Sequence, residues 1–376
     1  MERKPPIYLA LSGGGTRAMA FHIGLLKLLA EQNALERVKE LSTVSGGTLL
    51  VGLLLRTNDY RWPSSSQFLD HVYPALFEKL RDRALQLKLF PRRLFGIPSM
   101  WEQKPSHWLA KGITAVWDID VTWGDLLKMP KWTVNTTSAE TGKRFYFSGK
   151  WLNCYEIGKT NADQYRLADI MAASAAVPGF IGPWVIPVIR EDWKSAVKDP
   201  VEGGYLIDRY ESLHLYDGGL YDNLGLEQFK GVGHGFKKDY QDGVVIVSDA
   251  GKPLDNIFDR SRFNPRRWQD LMNIPLDQTR ALRVRDLQAY LREYPGRGAH
   301  IRIGVTKNDL RPRADARGKN WFDSVDILSD EEVREVAGRK TRLHGFQRSI
   351  LEMIIKNGHE TAEASLRLAG VTGFDF

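Results

Sequence analysis

Apolar residues in this chain fall into short runs that alternate with stretches of helical spacing. Residues Ile7–Ser12 are almost wholly apolar and stop at three glycines, which predicts a buried strand meeting a turn. From Thr16 to Gln32 the residues Met19, Ile23, Leu26, Leu29 and Ala30 recur on one helical face. A second strand is predicted over Val38–Val44 and an apolar helix over Thr48–Leu55. Strand, helix, strand and helix in this order make a βαβ unit, so the sheet is expected to be parallel with a right-handed crossover.

Residues 58–125 break this pattern. They are rich in aromatic, proline and basic residues and poor in strand signals, so they are expected to form a helical insertion or cap over the sheet. Strands resume at Trp132–Ser138 and Arg144–Ser148, and Arg166–Ala176 is a helix of small residues. His214–Tyr216 is a short apolar lead into Asp217. Gly243–Ser248 contains Val-Val-Ile-Val, a strongly apolar strand, and His300–Val305 is a candidate last strand. Residues 330–368 are mostly helical, with breaks at glycines. The expected architecture is α/β: a mainly parallel central sheet flanked by helices. It is expected to form a single domain over 1–376, with a core over 7–251 and a mostly helical part over 252–376.

Composition narrows the class. The 376 residues are 43% hydrophobic, enough for a sizeable core. A single cysteine, Cys154, excludes an internal disulfide and fits a reducing, cytoplasmic setting. The eight histidines are scattered and show no metal spacing, so neither a metal nor a cofactor is expected. No apolar run approaches the roughly 20 residues of a membrane span, so the protein is expected to be soluble or peripheral. A net charge of +7 suits anionic partners: phospholipid headgroups, nucleotides or nucleic acid.

Three constellations carry candidate chemistry. Gly13-Gly14-Gly15-Thr16-Arg17-Ala18 lies between a strand and a helix, where glycine amides and the helix N-terminus make an anion hole. A cofactor phosphate or a tetrahedral oxyanion would fit it, with Arg17 adding charge. The stretch also fits the dinucleotide pattern G-x-G-x-x-A. That reading asks for an acidic residue at the end of the second strand, where Thr43-Val44-Ser45-Gly46-Gly47 stands instead. A serine at a strand-to-helix turn is the second constellation: the turn exposes its hydroxyl, and Gly46 and Gly47 let strand and helix approach. Asp217-Gly218-Gly219 is the third, a carboxylate at a strand end with room beside it. Its competing reading is a plain turn. Neither His22, inside the first helix, nor His214, three residues before Asp217, sits where a base is expected. A two-residue arrangement of Ser45 and Asp217 fits better, with partial burial raising the carboxylate toward a useful pKa.

These residues resemble the patatin-like phospholipase family. The family's glycine-rich oxyanion loop, G-x-S-x-G elbow and D-G-G/A motif correspond, in chain order, to Gly13–Arg17, Thr43–Gly47 and Asp217–Gly219. Ala173-Ser174-Ala175-Ala176-Val177-Pro178 and Asn223 match further hallmarks. Thr43 replaces the first glycine of the elbow, and Gly225 stands where a proline is expected. The resemblance implies a lipid acyl hydrolase with Ser45 as nucleophile, Asp217 as base, the Gly13–Gly15 amides and Arg17 at the oxyanion, and no metal.

A phospholipid surface is the expected partner, without nucleic acid. A homo-oligomer is compatible with the sequence. Some bacterial members of the family are lipase effectors of anti-phage systems switched on by cyclic nucleotides, and such an activator is a further expectation. Leu76–Trp101 interleaves six basic residues with apolar ones, as a lipid-docking segment would, although an amphipathic helix packed on the sheet with a solvated basic face explains it slightly better. Arg260–Trp268 is a second basic patch. Two readings compete with the hydrolase: a dinucleotide-binding oxidoreductase, and a catalytically quiet lipid-binding or signalling module suggested by Thr43.

Overall fold

The computed structural model describes residues 4–82, 105–126, 130–179, 181–194, 206–251, 266–316, 320–325, 327–339 and 345–376. Its frame is β1 (Ile7–Leu11), α1 (Gly15–Glu31), β2 (Val38–Val44), α2 (Gly46–Thr57), α3 (Tyr73–Asp82) and α4 (Pro105–Trp117). Then come β3 (Lys131–Ser138), β4 (Arg144–Ser148), β5 (Trp151–Cys154), β6 (Gly158–Asn161), α5 (Leu167–Ser174), β7 (Trp184–Pro187) and β8 (Ser212–Asp217). The chain finishes with β9 (Val244–Asp249), α6 (Arg266–Glu293), β10 (Gly298–Arg302), α7 (Lys307–Asp315), α8 (Asp330–Gly338) and α9 (Arg348–Ala369).

Strand order is β10-β9-β1-β2-β3-β4-β5-β6. The five strands from β10 to β3 run parallel, as the βαβ pattern predicts, and β4–β6 continue as an antiparallel meander. β8 pairs antiparallel with β3 and with β7. Both faces of the parallel part are covered, which explains its unbroken apolar runs. Ile7, Leu9 and Leu11 face one core, while Tyr8 and Ala10 face another built from Leu224, Phe229, Tyr240 and Leu287. The first of these cores is one apolar cluster reaching from Ile7 to Val371.

α1 is buried on nearly every side, beyond the single stripe its periodicity predicts. The reason is α9, which packs along it from the far end of the chain. The described ends of the insertion are helical: Leu76, Phe77 and Leu80 of α3 are buried in the main core. Residues 83–101 of the interleaved basic segment, and the side chains of Arg260–Trp268, lie outside the described residues. Among the described residues no helix is long and apolar enough to cross a membrane.

Candidate active site

Ser45 directly follows the last residue of β2, and α2 begins one residue later. The reversal is so tight that Ser45 takes φ 47° and ψ −113°, a region that non-glycine residues seldom enter. Small neighbours make room. A side chain at Gly46 would overlap the Gly15 carbonyl, and one at Gly47 would overlap the Leu11 carbonyl. The serine turn and the glycine loop therefore touch.

Sheet register brings Asp217 to the same place. The last pair between β2 and β3 is Val44 with Asn135. The pair between β8 and β3 nearest to it is Asp217 with Thr136. β2 and β8 thus run head-on along one edge of β3, and Ser45 and Asp217 converge at the junction. The Ser45 side chain lies near enough to the Asp217 carboxyl to favour its ionised form. The Gly219 amide donates to Asp217 Oδ1 at 2.7 Å. Gly218 passes so close to the Asn135 carbonyl that a Cβ there would lie 2.6 Å from its oxygen. Burial raises the Asp217 carboxyl to about 6, against the lowering effect of the Gly219 hydrogen bond and the Ser45 side chain.

The glycine loop contributes differently from the sequence expectation. The Cβ position of Gly13 is 3.2 Å from Ser45 Cβ, so the loop borders the hydroxyl. The Gly13 amide, however, donates to the Asn223 carbonyl at 3.1 Å and is not turned toward an oxyanion. Gly14 caps α1 and Gly15 opens it, where N–H groups have no intrahelical acceptor and the helix dipole is positive. Neither amide has an acceptor within the helix.

Arg17 also departs from its expected role. It is fully buried, and its guanidinium donates to the carbonyls of Ala337 and Arg339, both at 2.8 Å, and of Ala250 at 3.0 Å. The first two lie at the C-terminal end of α8, the negative end of its dipole. Arg17 braces the loop from behind rather than charging the site.

The histidines have structural partners. His22 is fully buried between Ser248 Oγ at 2.7 Å and the Ser12 carbonyl at 3.0 Å, and burial pulls its pKa down to about 4. His214 pairs with Glu140 at 2.8 Å and, three residues from Asp217 on an alternating strand, lies on the opposite face. Other partners were not legible as such. Ser174, at the end of α5, accepts the Ser45 amide at 3.0 Å, and the Ala176 carbonyl accepts the Asp217 amide at 3.0 Å. The small-residue hallmark Ala173–Pro178 thus touches both members of the pair.

Both departures from the family pattern have local reasons. Thr43 is fully buried, with Trp132 Nε1 and Thr48 Oγ1 each 2.9 Å from its hydroxyl. Gly225 adopts φ 69°, which a proline ring forbids, and its carbonyl accepts the Ser42 hydroxyl at 2.6 Å.

A parallel sheet ending in a serine at a strand-to-helix turn and a glycine loop, with a carboxylate delivered beside them, defines a doubly covered α/β fold with its candidate site at the strand ends. The second-strand terminus holds Ser45 where a dinucleotide fold would hold an acidic residue. More particularly, the chain belongs to the patatin-like phospholipase family, whose profile matches residues 9–230, more than half of it. No curated protein sequence matches it.

Its fold is similar to that of human GIVD cytosolic phospholipase A2, with a TM-score of 0.56 and 13% identity over 98% of this chain. The same human enzyme in complex with methyl gamma-linolenyl fluorophosphonate and terbium chloride gives a TM-score of 0.50 and 13% identity, over 97% of this chain and 59% of that one. The chain spans about three fifths of the first of these, 61% of its length.

Proposed function

We propose that this protein is a lipid acyl hydrolase of the phospholipase A type, acting at a phospholipid surface with Ser45 as nucleophile and Asp217 as base. The observation that carries this reading is the convergence, set by strand register, of a backbone-strained, buried serine and a carboxyl group raised to about 6. A carboxylate at its ordinary pKa is a weak base for a serine. One held near 6 is better matched to work around neutrality while staying ionised.

In the first step Ser45 Oγ bonds to the ester carbonyl carbon and its proton passes to Asp217. The carbonyl π electrons move to the oxygen, which the Gly14 and Gly15 amides receive. Collapse of this intermediate breaks the bond to the alcohol, which takes the proton from Asp217 and departs. A water molecule, deprotonated by Asp217, then attacks the acyl-serine; the bond to Ser45 Oγ breaks, Asp217 returns the proton to that oxygen, and the fatty acid is released. Each oxyanion donor is worth about 2.7–4 kcal/mol in comparable hydrolases. General-base action is worth about 10²–10⁴-fold.

The decisive experiment is hydrolysis of phospholipid vesicles by wild type, Ser45→Ala and Asp217→Asn, with labelling by an alkyl fluorophosphonate alongside. Both variants are expected to remain folded and to lose nearly all turnover. Full activity in Asp217→Asn would remove the dyad, and an unlabelled, inactive wild type would favour the quiet lipid-binding module. Adding cyclic oligonucleotides to the same assay tests the expected activator.

A further inference from the structure

Five buried groups behind the elbow form one hydrogen-bonded line. Trp132 Nε1 lies 2.9 Å from Thr43 Oγ1, which lies 2.9 Å from Thr48 Oγ1. Thr48 Oγ1 lies 2.9 Å from Ser174 Oγ, which lies 2.8 Å from the Asn135 carbonyl oxygen. An indole N–H only donates and a carbonyl only accepts, and each hydroxyl has one proton to give. The two ends therefore set the direction of every bond. Trp132 donates to Thr43, Thr43 to Thr48, Thr48 to Ser174 and Ser174 to Asn135. Ser174 retains a lone pair, and it accepts the Ser45 amide with that pair at 3.0 Å.

The line begins and ends on β3 and spans the elbow. It grips residue 43 before Ser45, residue 48 after it, and the amide of Ser45 itself. Asn135 Nδ2 also donates to the Thr43 carbonyl at 2.9 Å, so Thr43 is held by side chain and backbone. Thr43, Thr48 and Ser174 are fully buried, which makes every unmade bond costly and every made one directional.

A glycine at position 43 would leave the Trp132 N–H without its acceptor and Thr48 without its donor. We propose that Thr43 is a positioning residue: through Thr48 and Ser174 it holds the Ser45 amide, and hence the Ser45 hydroxyl, in reach of Asp217. The threonine at this position is then a locking element, and restoring the family's glycine would weaken the enzyme. The inference rests on the reading of Ser45 as nucleophile.

The test compares wild type with Thr43→Ser, Thr43→Val, Thr43→Gly and Trp132→Phe, at a temperature where each keeps the wild-type circular dichroism. The readouts are fluorophosphonate labelling rate, kcat and KM on a lipid ester, and amide hydrogen exchange at Ser45. Thr43→Val and Thr43→Gly are expected to lose about 10- to 100-fold in kcat with little change in KM, the scale of a slight misplacement of reacting groups. They should also exchange the Ser45 amide faster. Thr43→Ser should restore most of the rate, and Trp132→Phe, which removes only the first donor, should fall between. Wild-type kcat in Thr43→Gly or Thr43→Val would overturn the proposal, as would a Thr43→Ser variant as slow as Thr43→Val. A wild type that labels no faster than Ser45→Ala would overturn the nucleophile reading, and this inference with it.

Discussion

Ser45 and Asp217 meet because β2 and β8 end against each other on the same edge of β3, at neighbouring residues Asn135 and Thr136. The pair is thus set by backbone register, and its chemistry follows from burial. In the proposed reaction Asp217 must be ionised to accept a proton, and its carboxyl is raised to about 6. We expect kcat/KM to fall about tenfold per pH unit below 6 and to level off above it. A pH–rate profile on a soluble ester checks this, and a flat profile from pH 4.5 to 7 would rule out Asp217 as the base.

The same shift has a cost in stability. The folded pKa of Asp217 lies above its unfolded value, so the folded state holds the proton more tightly. As pH rises from about 4 to about 6 the unfolded chain ionises first, and folding loses stability that does not return at higher pH. Asp217→Asn keeps the shape and an acceptor for the Gly219 amide. It should be more stable than wild type by about 1–3 kcal/mol at pH 8 and nearly equal to it at pH 4. Urea unfolding at both pH values measures the difference.

Gly225 offers a test of backbone strain. Its φ of 69° places it in the left-handed region, at the start of the helical turn Leu226–Gln228. Gly225→Ala should cost about 1–2 kcal/mol, the price of a Cβ in that region. Gly225→Pro should cost more, because the ring would have to rotate φ to about −65° and disturb the contact with Ser42. A Tm for Gly225→Pro at or above wild type would show that this turn relaxes freely.

Arg17 separates bracing from charge. Arg17→Lys keeps the positive charge but cannot serve the three carbonyls of Ala337, Arg339 and Ala250 in one plane. Bracing predicts a lower Tm together with lower kcat, in proportion to the disturbed loop. Direct action on the oxyanion predicts an unchanged Tm, and thermal unfolding beside kinetics distinguishes the two.

Much of this fold was legible because its signals are local. The strands from Ile7 and Val38, the helices that follow them and the serine turn between are written in contiguous runs and glycines. The meander strands Trp151–Cys154 and Gly158–Asn161 were not, since four-residue strands of mixed polarity give no period to detect. The bounds of the 28-residue helix Arg266–Glu293, inside a part expected to be mostly helical, were obscured by its polar composition and by Pro275 inside it. At the site, the candidate pair Ser45 and Asp217 could be named from motif order. The engaged amide of Gly13 and the inward turn of Arg17 could not, because both depend on partners, Asn223 and Ala337, that only the folded chain brings near. Ser174 was visible as part of a motif, but its bond to the Ser45 amide is a matter of three-dimensional distance.

The Arg17 brace also bears on when the protein becomes competent during synthesis. β1 lies between β2 and β9, α1 is buried by α9, and the guanidinium of Arg17 waits for the last turn of α8. All three partners leave the ribosome after Asp217 does. A nascent chain released at residue 230 would carry both members of the pair and every motif of the family, yet its central strand would be a bare edge and its glycine loop unsupported. The glycine loop and the central strand would therefore reach their native support only after residues 244–369 had been made, well behind the motifs they serve.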